Sequence, residues 1–318
     1  MRFCVCLVLL LATGSLFAQP YPAKPIRLIV PFGTGGSNDI VARLLGPKLS
    51  ESLGQPVIVE NRPGAGGTVG TDAVVKSAPD GYTLMIGATS TIAANVGLYP
   101  KRNFDPVRDL TPITEIADGA FLMAVPASSP AKTVKEFVEL ARTSPGKLNY
   151  GTSGKGSSMH LMGELFKMTA HVDMVHVPYK AGGPAIADLA TDRVQLVYSD
   201  LAALLPFVRS GQVRALAVTT PKRSALLPDL PTMAEAGLPG CEATSWYGIL
   251  GPAGLPRDIT MKLNGELARI VHSPDTKERF ATLGTEPVTG TPEQFAQFIQ
   301  AEVKKWSAVS KAAGVELE

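Results

Sequence analysis

Apolar runs of four to seven residues alternate along this chain with longer stretches whose apolar positions recur every three or four residues. The runs at 26–30, 57–60, 83–87, 122–125, 148–150, 174–177, 195–198, 215–218 and 246–250 predict strands. The longer stretches at 39–53, 133–143, 157–169, 185–191 and 201–210 predict helices between them. Strand–helix alternation argues for an α/β fold, with parallel sheets covered by helices on both faces. Strands that are apolar throughout, and not only at every second position, agree with that burial. The last third of the chain changes pattern. It reads as three helices, 257–271, 275–283 and 292–313, with Pro256, Pro274 and Pro292 near their starts.

Two stretches have the character of domain crossings. Residues 110–120 lead out of the first α/β unit, and residues 237–245 lead back. A middle segment bracketed by two crossings predicts two lobes, with residues 19–120 and 246–318 in lobe 1 and residues 121–245 in lobe 2. A single continuous sheet is the alternative arrangement of the same elements.

The N-terminus carries a third kind of pattern. Arg2 precedes an apolar stretch at 5–12, and Ala18 stands before Gln19. Residues 1–18 therefore read as a cleaved signal peptide, too short to span a bilayer, which would place the mature chain in the periplasm. Cys4 and Cys6 would leave with it. Cys241 would then be the sole thiol of the mature chain, so no internal disulfide is available and the fold must hold by burial. A chain that is 45% hydrophobic and 18% charged can do this. Thirty Lys and Arg against 28 Asp and Glu leave a net charge of +2 with no long basic run, which argues against nucleic acid as a partner.

Candidate chemistry lies in the turns behind the strands. The first strand empties into Phe32-Gly33-Thr34-Gly35-Gly36-Ser37-Asn38-Asp39. Its glycines permit close approach of the backbone, and the helix behind it presents unpaired N–H groups at its positive dipole end. That combination suits an anion or a polar ligand. Asp39 is unusual at an anion site and can instead cap first-turn N–H groups. A second turn, Tyr150-Gly151-Thr152-Ser153-Gly154-Lys155-Gly156-Ser157, is rich in hydroxyls and N–H donors and leads into a helix with His160 near its start. It fails the Walker A pattern because Ser157 follows the second glycine, and it fails the nucleophile elbow because Lys155 stands where glycine is required. What remains suits a carboxylate held by neutral donors. Thr89, Ser90, Tyr179 and Asp200 end three further strands, and in parallel sheets such ends converge on ligands. The 63–70 stretch is not a dinucleotide fingerprint, since Val69 occupies its sixth place, and it reads as a packing turn. The four histidines show no metal spacing, and no cofactor motif or unambiguous Ser-His-Asp set is present.

At these turns the sequence resembles the Bug (TctC-type) family of extracytoplasmic solute receptors. The matching pieces are Pro25–Phe32 with Gly35, Gly36 and Asp39; Val59-Glu60-Asn61-Arg62-Pro63-Gly64-Ala65-Gly66-Gly67; Pro79-Asp80-Gly81-Tyr82; Gly151–Gly154 with Gly156, Ser157 and His160; Val177-Pro178-Tyr179-Lys180; Leu227–Thr232; and Trp246-Tyr247-Gly248. The resemblance implies a two-lobed, type II periplasmic-binding architecture that closes on a ligand. It implies a small carboxylate ligand and, as partners, the membrane permease subunits of a tripartite tricarboxylate transporter. By motif position it implies ligand contacts at Phe32, Gly35, Gly36, Asp39, Ser153, Gly154, Ser157, His160, Tyr179 and Asp200. Thr34 departs from the family, where proline is frequent, and so does Ala181, where glycine is frequent.

The favoured expectation is a monomeric, non-catalytic receptor. Two other readings of the residues stand beside it. One is a secreted α/β hydrolase or transferase with Ser153 as nucleophile and His160 as base. The other is a ligand-responsive partner of a sensor kinase, which shares the binding step.

Overall fold

The computed structural model describes residues 21–99 and 101–314, so the leader expected at 1–18 lies outside the described residues. In chain order the elements are β1 (Ile26–Val30), α1 (Ser37–Leu53), β2 (Val57–Asn61), α2 (Thr68–Val75), β3 (Thr83–Ala88), α3 (Asn95–Leu98), β4 (Leu110–Pro126), α4 (Val134–Thr143), β5 (Asn149–Thr152) and α5 (Ser158–Ala170). They continue with β6 (Val175–Pro178), α6 (Gly182–Ala190), β7 (Leu196–Asp200), α7 (Leu201–Arg209), β8 (Val213–Val218), β9 (Thr244–Pro252), α8 (Arg257–Val271), α9 (Pro274–Thr282), β10 (Thr285–Pro287) and α10 (Pro292–Ala312). A short 3-10 turn, Ala65–Gly67, opens α2, and a π-helical turn, Thr89–Ala94, opens α3.

The hydrogen-bonded order is β2-β1-β3-β9-β4-β7-β5-β6, with β8 and β10 also paired to β4. The sets β2-β1-β3 and β7-β5-β6 are each parallel, while β9 and β4 join them antiparallel. The stretch expected as a crossing at 110–120 and the strand expected at 122–125 are one strand of 17 residues. Its first part, Leu110 to Ala120, pairs with β9; from Phe121 onward it pairs with β7 and β8. Pro112 and Gly119 read as strand breakers. A register shift between Pro112 and Thr114 lets the strand run past the proline, a second falls between Glu115 and Ala117, and Gly119 pairs in regular register with Ser245. The ladder is continuous, but only because β4 serves two parallel sets. The three-residue β10 escapes sequence reading because it is too short to carry a period.

Burial follows the apolar runs. In β1, Ile26, Leu28, Ile29 and Val30 are all fully buried, which requires cover on both faces. One core packs Leu28, Leu45, Ile86, Leu263 and Phe280 around the first parallel set. Another packs Leu122, Ile186, Leu189, Val197 and Leu204 around the second. A third contains Phe121, Phe166, Tyr198, Trp246, Phe295 and Trp306 and reaches across both. Each such buried aliphatic or aromatic side chain contributes about 1.5–3 kcal/mol. No described helix is long and apolar enough to cross a membrane.

Candidate functional site

The first turn connects β1 to α1. Gly33 through Ser37 are exposed, and Gly35 takes φ +82°, a conformation that favours glycine. Gly36 is the N-cap of α1, and no side chain caps the helix. The first N–H groups of a 17-residue helix are therefore open at its positive end. Side chains built at Gly33 and Gly35 would meet nothing, and one at Gly36 would meet only the carbonyl of Gly33 at 3.8 Å. The space above the turn is empty.

Beneath it lies a charged clamp. The Asp39 carboxylate is almost wholly buried and accepts from the Gly35 N–H at 2.9 Å, from Arg43 Nε at 2.9 and 3.0 Å, and from Asn61 Nδ2 at 2.9 Å. Asn61 Nδ2 also donates to the Phe32 carbonyl, and Arg43 Nη2 donates to Asn61 Oδ1. The hydrogen bond from Arg43, helped by Gly35 and Asn61, outweighs burial and holds the Asp39 carboxyl at a pKa of about 2. Asp39, expected at the ligand, is instead placed inside the turn with its acceptors occupied. Its presence in a donor-rich turn is thereby explained. The 63–70 stretch is the packing turn that the sequence suggests: a side chain at Gly70 would collide with Pro31, immediately before the first turn, and one at Gly67 with Thr91.

The second turn connects β5 to α5. Gly154 and Gly156 have φ +115° and +79°. Ser157 caps α5 by accepting from the His160 N–H, and its hydroxyl donates to the Gly154 carbonyl at 2.8 Å. Ser153 and Gly154 remain partly exposed, whereas His160 is buried below the turn. His160 Nδ1 accepts from the Gly156 N–H at 3.0 Å, and its Nε2 lies 3.9 Å from Glu164. Both nitrogens are thus directed away from the base role in the hydrolase reading. Burial, with His176 adding to it, lowers the His160 pKa to about 4. His160, expected as a ligand contact, is placed under the turn, as Asp39 is under the first.

The remaining candidates divide. Thr89 is buried, donating to the Thr244 carbonyl and accepting from the Trp246 N–H, so it ties β3 to β9. Ser90, beside it, is partly exposed. The Tyr179 hydroxyl donates to Asp188 at 2.6 Å, and burial and that bond raise its pKa to about 12. Asp200 ends β7 and is the uncapped N-terminus of α7. Burial raises its pKa to about 6, against a hydrogen bond from Ser245.

Strand register aligns these groups. Ala88 at the end of β3 sits opposite Tyr247 of β9, and Tyr247 sits opposite Ala117 of β4; Asp200 sits opposite Phe121 of the same strand. The ends of the two parallel sets therefore meet β4 four residues apart, about 13 Å along the strand. A cavity of about 210 Å³ lies at this junction, lined by Ser37 and Val41 of α1, Asp200 and Ala203 of α7, and Tyr247. It joins the first turn to Asp200. Tyr247 is the group that turn-by-turn reading of the sequence misses. Its hydroxyl is buried beside Asp200, Ser245 and Ser37, and burial raises its pKa to about 12. Its signal, an aromatic in the middle of a strand, is that of any core residue.

Open helix N-termini at the carboxyl ends of two parallel sets, joined by long shared strands, define a ligand-capturing protein of the two-lobed periplasmic-binding class. The chain belongs to the TctC family, the tripartite tricarboxylate transporter family receptors, whose model matches residues 41–315. It is 37% identical over 302 residues to Protein BugT of Bordetella pertussis, covering 95% of this chain and 93% of that one. Among solved structures it is similar to R. palustris Rpa4515 with adipate, with TM-score 0.78 and 39% identity over 93% of this chain and all of the other. It is also similar to MatC (Rpa3494) from Rhodopseudomonas palustris with bound malate, with TM-score 0.75 and 33% identity over 91% of this chain and all of that one. The periplasmic binding protein BugD matches with TM-score 0.74 and 33% identity over 93% and 100% of the two chains. The family is one of solute-binding receptors, not enzymes, and the hydrolase reading is set aside.

Proposed function

We propose that this chain captures a small organic acid in a cleft between two lobes and delivers it to the membrane permease subunits of a tripartite tricarboxylate transporter. One lobe comprises the described residues up to Ala120 together with those from Trp246, and the other comprises residues 121–245. The observation that carries the reading is the shared level of the strand ends on β4, with the open N-termini of α1 and α7 facing one cavity. Main-chain donors of Gly33 to Ser37, with the Ser90 hydroxyl, grip one end of the acid. Ser153 grips the other, with Gly154 and Ser157 shaping that turn and Tyr179 and Asp200 bordering the site. Neutral donors suit release as well as capture, because no buried arginine–carboxylate ion pair must be broken on delivery. The adipate and malate bound to two structural neighbours support a carboxylate ligand.

The receptor works in the periplasm as a monomer after loss of residues 1–18. A sensor kinase is a further recipient of the same binding event. Calorimetric titration with a panel of mono-, di- and tricarboxylates that includes adipate and malate tests the reading. The expected result is saturable one-to-one binding, a raised melting temperature and chemically unchanged ligand. Absence of binding across the panel, or turnover of any member, overturns it.

A further inference from the structure

His160 and His176 form a pair under the second turn that no ligand-contact role explains. Their rings stack with centroids 3.9 Å apart and planes at 15°. Tyr150 of β5 stacks beyond His176, with centroids 5.1 Å apart. It lies so close to α5 that a side chain at Gly163 would strike its ring. Each imidazole reaches a different glycine of the turn. His160 Nδ1 accepts from the Gly156 N–H at 3.0 Å. His176 Nε2 is 2.6 Å from the Thr152 hydroxyl, which accepts from the Gly154 N–H at 3.2 Å.

Two alternate amides, those of Gly154 and Gly156, are thus directed into the brace. Among the described residues the amides that alternate with them, of Ser153 and Lys155, have no acceptor in the protein. We propose that His160 and His176 are positioning residues, a neutral stacked pair that pins Gly154 and Gly156 inward and so turns the Ser153 and Lys155 amides toward the acid. This rests on the reading of that turn as half of the acid site.

The pair works only uncharged. An Nδ1 that accepts from Gly156 cannot carry a proton, so the His160 proton sits on Nε2, facing Glu164. The groups around the pair are Glu164 and Lys167 of α5, Lys155 of the turn and Tyr150 of β5. Glu164 is held by the Tyr150 hydroxyl and by Lys167 at 2.9 Å. Burial lowers the pKa of both histidines.

The test is amide exchange and ring-nitrogen NMR on the full mature chain at neutral pH, together with adipate and malate affinity. Wild type is expected to show His160 protonated on Nε2 only, with slow exchange at Gly156. His160→Leu is expected to free the Gly156 amide and weaken acid binding about tenfold. His160→Asn, whose side-chain oxygen replaces Nδ1, recovers most of both losses. His176→Gln serves if the leucine variant does not fold, and is expected to speed exchange at Gly154.

Unchanged Gly156 exchange in His160→Leu, or an Nδ1-protonated His160 in wild type, overturns the proposal. So does equal weakening of affinity by the Leu and Asn substitutions. If neither acid binds wild type, the function assigned to the turn fails, while the Gly156 comparison still decides whether the brace exists.

Discussion

The two glycine-rich turns have the same plan and opposite supports. Each follows a buried parallel strand, opens a helix and ties a glycine amide to a buried side chain below it. The first is held by ions: Asp39 is buried, but its partner Arg43 is about half exposed, and the pair borders solvent. The second is held by neutral rings, His160 on His176 on Tyr150, in a site where charge is disfavoured. The difference shows that a donor-rich turn needs a second layer to fix its amides, and that the chemistry of that layer is set by local burial. Where water screens, a carboxylate–guanidinium pair is inexpensive. Where it does not, an imidazole that accepts one hydrogen bond does the same work without a charge.

The sharpest way to separate the supports is pH, and it carries the largest expected effect. The folded pKa of His160 is about 4, below the ordinary 6.5, so the unfolded chain takes up its proton first. Its contribution is fully present above about pH 6.5 and is lost as pH falls toward 4, with a slope approaching about 1.4 kcal/mol per pH unit for each proton taken up. Asp39 has the same sign in a lower window: its contribution is present above its ordinary 3.8 and is lost as pH falls toward about 2. Exchange protection at Gly156 should therefore fail before protection at Gly35. Wild type should also lose stability relative to His160→Asn between pH 6.5 and 4. Simultaneous failure of both turns would erase the distinction.

Next in size, Gly70→Val should strain the first turn alone. The new Cβ would lie 2.7 Å from the Arg62 carbonyl and 2.8 Å from Pro31 Cα, both backbone atoms that cannot swing away. A loss of about 1–3 kcal/mol in calorimetric stability is expected, with Gly154 and Gly156 resonances unmoved. Movement of those resonances would mean the turns are mechanically one unit.

Gly36→Val probes the ligand side of the same turn. Its φ of −78° accepts valine and its surroundings are open, so melting temperature should hold within about 2 °C. Adipate affinity should fall about tenfold, because the side chain blocks approach to the α1 amides. Unchanged affinity in a folded variant would remove the first turn from the site. The smallest effect belongs to Ser153→Ala, about 0.5–1.5 kcal/mol of binding energy with no change in melting temperature.

Legibility in the sequence divides along the same line as the two layers. Strands such as Ile26–Val30, the helix behind Gly36 and the glycine turns are visible because their signals are local. Period, capping and positive φ all relate residues a few positions apart. The supports are visible only in part: Gly35 and Arg43 lie four residues from Asp39, and Gly156 four from His160, but the partners that complete each brace are distant. Asn61 is 22 residues from the Asp39 it holds, and His176 is 24 from the Thr152 it braces. Asp39 is legible as oddly placed and His160 as near a helix start, yet nothing in the chain says which way they face.

By itself, then, the sequence determined the α/β elements, the order of the turns and the family to which they belong. Only the tertiary structure decided that β4 is one strand serving two parallel sets, that Tyr247 and Asp200 share a cavity with Ser37, and that two expected ligand contacts lie beneath their turns. The physical reason is that an apolar or polar pattern reports how much of a residue is buried. It does not report against what, and partner choice is settled by packing among segments far apart in the chain.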